Sequence, residues 1–528
     1  MRVLLVNPHY PISETPSPPL GLAYLSAALE AAGTEVQILD FVVSPYSAAI
    51  LEASLNRFRP DIVGATSVTM NFHEAIRVIG DVKKIDPEIL TIMGGPHVTF
   101  CDKETLTAFP ELDVVVLGEG EATVVELAKN YRSQDDLKYI NGITYRNGSG
   151  IRSTAIRELV DIDQLPLPAR HLIPLGRYKA LGMPISITTS RGCPYQCVFC
   201  IGRKMGGAKV RMRNPVKVVD ELEYLNSLGF HQINIADDLF TVNKKHCLAV
   251  CDEIIRRKLQ INWTSFARVD TVSPEILLHM RAAGCQGVSF GIESANPEIL
   301  RRIKKGITLK QIIDAVKQCT QIGITPYASF ILGLPGETPD TLKETLDFAR
   351  TLKTMGLSSG FHLLAPFPGT EIREKSEQFG LHILTDDWSQ YHANRAIVET
   401  PAVSRKMLDE IVIDWQDEYH VYLAEIRERM QRGVASAAES WQLTNLERIV
   451  LVYDLMMKGV IEKYGGWPAP DSLKSDQELL NKLTGRIMHC TDVDKEKLTD
   501  TLLYALQQRD LICVRKNGRV RWQWTDYL

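Results

Sequence analysis

Short, mainly apolar runs alternate with helical stretches along the first 400 residues, in two separate series, and this alternation limits the folds open to the chain. In the first series the runs are 3–6, 36–39, 62–65, 90–93 and 114–117, each bounded by Gly, Pro, Asp or Asn. Between them, 20–32 and 72–84 carry the apolar spacing of amphipathic helices. The pattern predicts an α/β unit over 1–130, doubly wound around a parallel sheet, with its ligand outside the carboxyl ends of the strands. Its first turn reads Asn7-Pro8-His9 where a dinucleotide site would carry G-x-G-x-x-G, so a dinucleotide is not the expected ligand.

A second series follows, with runs at 185–188, 233–236, 263–266, 287–291, 328–332 and 360–364 and helical segments near 215–228, 244–258, 274–283, 308–321 and 338–354. This predicts another parallel α/β unit over 181–400, a partial or complete barrel. Between the two, 131–180 reads as a connector. It holds an Asn147-Gly148 hairpin turn, then Pro166, Pro168 and Pro174, which discourage regular structure. Residues 401–528 read as a mostly helical domain. A helix is expected over 405–431 and a loose joint at 433–438. The stretch 498–508 followed by 511–524, with a hairpin at Asn517-Gly518, has a winged-helix outline.

Formal charge is −4, from 60 basic and 64 acidic residues, which argues against a wholesale polyanion binder. With 45% hydrophobic and 23% charged residues there is ample material for a core. The apolar stretch after Met1 is too short for a secretory signal, and no run reaches the ~18–20 residues of a spanning helix. A cytoplasmic protein with no membrane span is expected. Ten cysteines are too few for a disulfide scaffold, and three of them fall within eight residues, which favours metal ligation in a reducing compartment.

Those three are Cys193, Cys197 and Cys200, spaced C-x3-C-x2-C on a Gly/Pro-rich loop just past the first run of the second series. Three thiolates so placed can take three corners of an iron–sulfur cube and leave the fourth iron open. A structural zinc site is the alternative. It calls for four ligands, usually from two knuckles, and no second C-x2-C is found. The segment Cys193-x3-Cys197-x-Phe199-Cys200 resembles the signature of the radical S-adenosylmethionine (SAM) superfamily, whose partial (β/α)6 barrel matches the second unit. The resemblance implies a 4Fe-4S cluster whose open iron is chelated by SAM. It also implies SAM-binding roles for Phe199, Asp237 and Asp238 after the second strand, Arg268 after the third, Glu293 after the fourth, Lys305, and Ser329 and Gly333 on the fifth strand and its turn. Cys247 and Cys251, one helical turn apart among Leu248, Val250 and Ile254, read instead as core.

In the first unit Pro18-Pro19-Leu20-Gly21, Thr66-Ser67-Val68-Thr69, Gly94-Gly95-Pro96-His97 and Gly118-Glu119-Gly120-Glu121 fall at strand–helix junctions, where glycine lets backbone approach a large ligand. Ahead of a radical SAM core, their order resembles the Rossmann-like cobalamin-binding domain of the class B enzymes, a group that includes methyltransferases and the anaerobic magnesium-protoporphyrin ester cyclases. By that resemblance Ser67, Thr69, Gly94, Gly95, His97, Gly118, Glu119 and Gly120 would meet cobalamin. One departure stands out: the Asp-x-His-x-x-Gly motif that ligates cobalt from below is replaced by Asp40-Phe41-Val42-Val43-Ser44.

The resemblance implies a C-methyltransferase. It would pass a methyl from SAM by way of methylcobalamin to an unactivated carbon, using a 5′-deoxyadenosyl radical. Its substrate would be a small molecule or peptide, and its electrons would come from a low-potential donor such as flavodoxin or ferredoxin. A cobalamin-dependent cyclase or oxidative rearrangement enzyme is the alternative. A cluster and cobalamin sensor with a winged-helix output is the reading from another class, and its only support is the basic hairpin of Arg515, Lys516, Arg519 and Arg521. Nucleic acid is disfavoured, because a charged edge strand explains that hairpin as well. Trp415, Tyr419 and Tyr422, at i, i+4 and i+7, are expected as core packing, with a cap over the substrate opening as the functional alternative.

Overall fold

The computed structural model describes residues 1–10, 17–148, 150–468 and 475–528. The first unit is built on β1 (Arg2–Asn7), β2 (Glu35–Asp40), β3 (Ile62–Thr66), β4 (Leu90–Gly94), β5 (Val114–Val116), β6 (Ile143–Asn147) and β7 (Gly150–Ser153). They form one sheet in the order β2-β1-β3-β4-β5-β6-β7. The first five are parallel and the last two antiparallel. The winding reverses between β1 and β3, and in open α/β sheets that switch point is where ligands bind. The hairpin expected in the connector does form, but it pairs with β5 and so extends the first sheet.

The second unit comprises β8 (Ile185–Ile187), β9 (Gln232–Ile235), β10 (Asn262–Ala267), β11 (Cys285–Glu293), β12 (Thr325–Leu332) and β13 (Ser358–Leu363). All six are parallel and lie side by side in chain order, with β8 and β13 at the two edges, which makes a partial barrel. Along β10, Trp263, Ser265 and Ala267 are buried, while Asn262, Thr264 and Phe266 are half-buried or exposed. That two-residue period separates the face packed on helices from the face lining the barrel. The helices begin where the sequence supplies caps: Asn214, Ser273 and Thr338 each accept from the first turn, and each is followed by Pro at the first helical position. Cys247 and Cys251 are fully buried between helix and sheet, as core.

The carboxyl-terminal part has helices Arg405–Gln431, Ala437–Met457, Val460–Tyr464, Asp476–Ile487 and Lys495–Gln507, with β14 (Gly466–Pro468), β15 (Leu511–Lys516) and β16 (Arg519–Trp524). The strands form an antiparallel sheet in the order β14-β16-β15. From Ala437 the order is two helices, a strand, two helices and a hairpin, an outline like that of a winged helix. Asn517 and Gly518 both have positive φ, as a two-residue hairpin turn requires. Trp522 and Trp524 are buried in this domain's core.

The aromatic stripe departs from expectation. Trp415, Tyr419 and Tyr422 are 37%, 46% and 39% exposed. The Arg405–Gln431 helix buries only Leu408, Val412 and Ile426, so most of its length stands clear of the barrel. Trp415 meets Phe361 edge-on, and Phe361 stacks on the fully buried Phe330, which puts Trp415 on the helix-packed side of the strands. No helix among the described residues is long and apolar enough to cross a membrane.

Candidate active site

The cysteine loop leaves β8 through a two-residue strand, Ser190–Arg191, paired antiparallel with Arg211–Met212. Gly192 then takes φ 107°, and a Cβ there would come 2.7 Å from the Lys209 carbonyl oxygen, so only glycine fits. Protein groups hold the loop along its length. Gly192 N donates to the Asp238 carboxylate at 3.0 Å. Cys193 N donates to Gly207 O, Val198 N to Ile303 O, and Ile372 N to Val198 O.

Cys193 and Cys197 are half-buried and Cys200 is exposed; none is in a disulfide. Burial raises the Cys193 and Cys197 thiols, while the positive charges of Lys305 and Arg268 pull Cys197 back down. Cys200 is raised by desolvation first, and further by the charges of Cys197 and Cys193. The three sulfurs therefore lie within electrostatic reach of one another. Among the described residues no three Cys, His, Asp or Glu side chains converge as ligands of a single ion. A cubane asks for something different, one thiolate on each of three irons. Beside this loop the buried Arg268 has an Nη1 with no hydrogen-bond partner, a donor that suits an anion. The thiols and the orphan cation both fit a negatively charged iron–sulfur cluster.

Four of the residues expected to hold SAM come together here. Lys305 Nζ pairs with Glu293 Oε1 at 2.7 Å, both buried. The ammonium lies 5.9 Å from the Phe199 ring, and the Lys305 carbonyl accepts from Arg268 at 2.8 Å. Glu293 sits at φ 68°, after a register shift between Gly291 and Glu293 that re-aims its side chain. A Cβ at Gly291 would collide with the Glu293 carboxylate and lie 2.7 Å from Lys305 Nζ. Ser329, half-buried on β12, is in register with Gly291 and Gly360. Gly333 turns the chain at φ 89° and donates to Glu337, whose carboxyl is pushed up to about 8 by burial.

Asp237 and Asp238 stand elsewhere. Asp237 is buried and its carboxylate accepts from Thr189 N, Thr189 Oγ1 and Ser190 Oγ at 2.6–2.7 Å, so it faces protein. Asp237 thus braces the start of the cysteine loop from within the protein, whereas Asp238 is exposed and holds the loop at Gly192.

At the switch point of the first sheet a cavity of about 720 Å³ opens between the two units. Its walls include Asn7, Tyr10, Gly64, Gly94, Gly95, Gly118 and Gly120 from the first unit, and Ser186, Thr188, Arg191 and Ala236 from the second. The size and the glycine-rich turns suit a large planar ligand approached by backbone. Ser67, Thr69 and His97 are buried behind this wall. Ser67 locks the glycine turn: its N–H donates to Gly94 O at 2.8 Å, and a Cβ on Gly95 (φ 114°) would come 2.5 Å from Ser67 O. His97 Nδ1 lies 3.3 Å from Thr69 Oγ1, and its ring packs against Phe72 and Trp388. Burial holds its pKa down to about 4, so it is neutral. Among the described residues lining the cavity there is no histidine.

Glu119 lines the cavity, but its carboxylate is committed to the second unit. Arg211 forks it at 2.6 and 2.8 Å, and Arg191 approaches to 3.4 Å. Arg191 also pairs with Glu121 at 2.7 Å and stacks over the Tyr24 ring. Sequence reasoning missed Asn7, Tyr10, Tyr24, Arg191 and Arg211. Asn7 ends a strand of a doubly wound sheet and could have been flagged by that rule; the others carry no local signal.

The B12 binding domain family model matches residues 13–128, and the Radical SAM superfamily model matches residues 187–349. The chain is 37% identical over 399 residues to an uncharacterized methyltransferase of Pyrococcus horikoshii, covering 74% of this chain and 86% of that one. It is 30% identical over 435 residues to the anaerobic magnesium-protoporphyrin IX monomethyl ester cyclase of Rubrivivax gelatinosus, covering 79% and 77%. In fold it is similar to the cobalamin-dependent SAM radical enzyme OxsB, solved with aqua-cobalamin and SAM bound. The TM-score is 0.67 at 20% identity, over 96% of this chain and 84% of that one.

Proposed function

Because this chain belongs to the cobalamin-dependent radical SAM enzymes, we propose that it is a C-methyltransferase that moves the methyl group of SAM to an unactivated carbon of a small-molecule or peptide substrate. The observation that carries the reading is the shared cavity: the glycine turns of the first unit and the strand leading into the cysteine loop wall one space. When bound, cobalamin supplies a methyl carrier and the cluster supplies the electron that splits SAM.

Cys193, Cys197 and Cys200 would hold the cluster, as three thiolates that leave one iron to SAM. Lys305 and Glu293, a cation and an anion, suit the carboxylate and amino groups of the SAM methionine, with Phe199 near Lys305; Ser329 and Gly333, on the next strand and its turn, would serve the same ligand. Gly94, Gly95, Gly118 and Gly120 would let backbone approach the corrin, while Ser67, Thr69 and His97 hold those turns from behind. Two units facing one cavity also exclude water from radical chemistry. Electrons would come from a low-potential donor of the flavodoxin or ferredoxin kind.

The test is anaerobic reconstitution with iron, sulfide and hydroxocobalamin, followed by absorption spectroscopy and product counting. Expected are cluster and cobalamin bands, the cluster bands lost on Cys→Ala at the three positions, and S-adenosylhomocysteine formed together with 5′-deoxyadenosine in the presence of substrate. The likeness to the cyclase favours a second reading, a cyclase or oxidative rearrangement enzyme. Incubation with magnesium-protoporphyrin monomethyl ester separates the two. A cyclised product with 5′-deoxyadenosine and no S-adenosylhomocysteine would reject methylation.

A further inference from the structure

Arg268 follows β10 and is 3% exposed. Its guanidinium lies 3.6 Å over the ring of Tyr195, a residue inside the cysteine motif, midway between Cys193 and Cys197. One edge of the guanidinium is fixed: Nε and Nη2 donate to the two Asp270 oxygens at 2.9 Å each, and Nη2 donates also to Lys305 O at 2.8 Å. Nη1 is buried with no partner. A guanidinium is charged at every accessible pH, and a buried donor left unmet is costly unless an anion is to be placed beside it. Asp270 offsets part of the charge from the more exposed side, 19% against 4% for the arginine side chain.

We propose that Arg268 is a positioning residue for the cluster rather than a ligand of SAM: stacked on Tyr195, it sets the loop between the first two cysteines and fixes a positive charge beside the cluster. This rests on the reading that the three cysteines hold a cluster. A fixed cation favours the more negative, reduced state, so Arg268 raises the reduction potential. Asp270, as its counter-charge, lowers it.

The experiment uses the full chain, reconstituted anaerobically, as wild type, R268M, R268K and D270N. Iron and sulfide content are measured, then the cluster potential by electron paramagnetic resonance during a mediated titration without SAM, and SAM affinity by equilibrium dialysis. For R268M the ratio of reduced to oxidised cluster at fixed ambient potential should fall at least tenfold, which is 59 mV for a one-electron couple. R268K should recover part of this, and SAM affinity should stay within about threefold. D270N should move the ratio the other way, a reversal of sign that general damage to the fold would not produce. An unchanged potential with a tenfold loss of SAM affinity in R268M would overturn the proposal and make Arg268 a SAM ligand. If R268M loses its cluster, an unchanged potential in D270N overturns it instead. A wild-type chain that assembles no cluster defeats the functional reading itself.

Discussion

Gly291 shows how little room the strand ends leave. Its missing side chain is the space in which Glu293 and Lys305 pair. Gly291→Ala should cost about 1–3 kcal/mol by overpacking and push the pair out of place. SAM affinity, read by equilibrium dialysis, is expected to fall tenfold or more while the circular dichroism spectrum stays native. Two buried titratable groups of the first unit make a further prediction. Asp40 accepts from Asn7, Val42 N and Tyr178, yet burial raises its carboxyl from 3.8 to about 6. His97 is lowered from 6.5 to about 4. The unfolded chain takes up the histidine proton first, so His97 withdraws stability as pH falls from about 6.5 to 4. The folded chain holds the aspartic proton longer, so Asp40 contributes stability at low pH and loses it as pH rises from about 4 to 6. Each effect is about 3 kcal/mol, and the two oppose each other between pH 4 and 6. Denaturant unfolding across that range should show Asp40→Asn losing more stability than wild type on acidification, and His97→Gln losing less. Equal slopes in all three would refute the assignment.

At the scale of the element, much was legible before any coordinates. The five parallel strands of the first unit and the six of the second are short apolar runs between turn formers, and buried parallel strands need nothing subtler. The helices were readable from their apolar spacing, and the cysteines from their own intervals. What stayed illegible depends on distance along the chain. Glu119 read as a cofactor residue because its glycine turn did, but Arg211, 92 positions away, claims its carboxylate. Asp237 read as a strand-end ligand, but Thr189 and Ser190, 48 and 47 positions away, satisfy it. The exposed stripe on the Arg405–Gln431 helix has the periodicity of a core face, and periodicity cannot say whether a partner exists. The Glu119–Arg211 pair rivets the glycine turn to the strand beside the cysteine loop, with side chains only 11% and 14% exposed. Removing one partner leaves an uncompensated charge in a mostly buried place, so Glu119→Gln should cost about 2–3 kcal/mol in thermal or denaturant unfolding. The same variant should release cobalamin faster on gel filtration, and exchanging the two charges should restore part of both.

At the scale of the whole molecule, the carboxyl-terminal domain is tied back to the first half of the chain around one residue of the connector. Arg177 donates to Glu462 at 2.8 Å, to Asp526 at 2.6 Å and to Val43 O at 3.1 Å, joining the connector, the first unit and the carboxyl-terminal domain. Beside it Gly176 N donates to Asp526 O, and a Cβ on Gly176 would strike the Thr525 carbonyl. Gly176→Ala should therefore detach residues 525–528, and limited proteolysis should trim that tail well before wild type is cut. Resistance equal to wild type would show that the tail is held by other means. The basic hairpin belongs to the same domain, but the neighbouring Lys495–Gln507 helix exposes Glu496 and Asp500, so the domain offers phosphates a mixed surface. The cysteine loop, for its part, hangs on bonds from Asp238, Gly207 and Ile303 that involve no metal. Unlike a zinc finger, which collapses when stripped, such a loop keeps its shape when empty. A cell starved of iron would then hold intact chains awaiting repair, not misfolded ones marked for degradation.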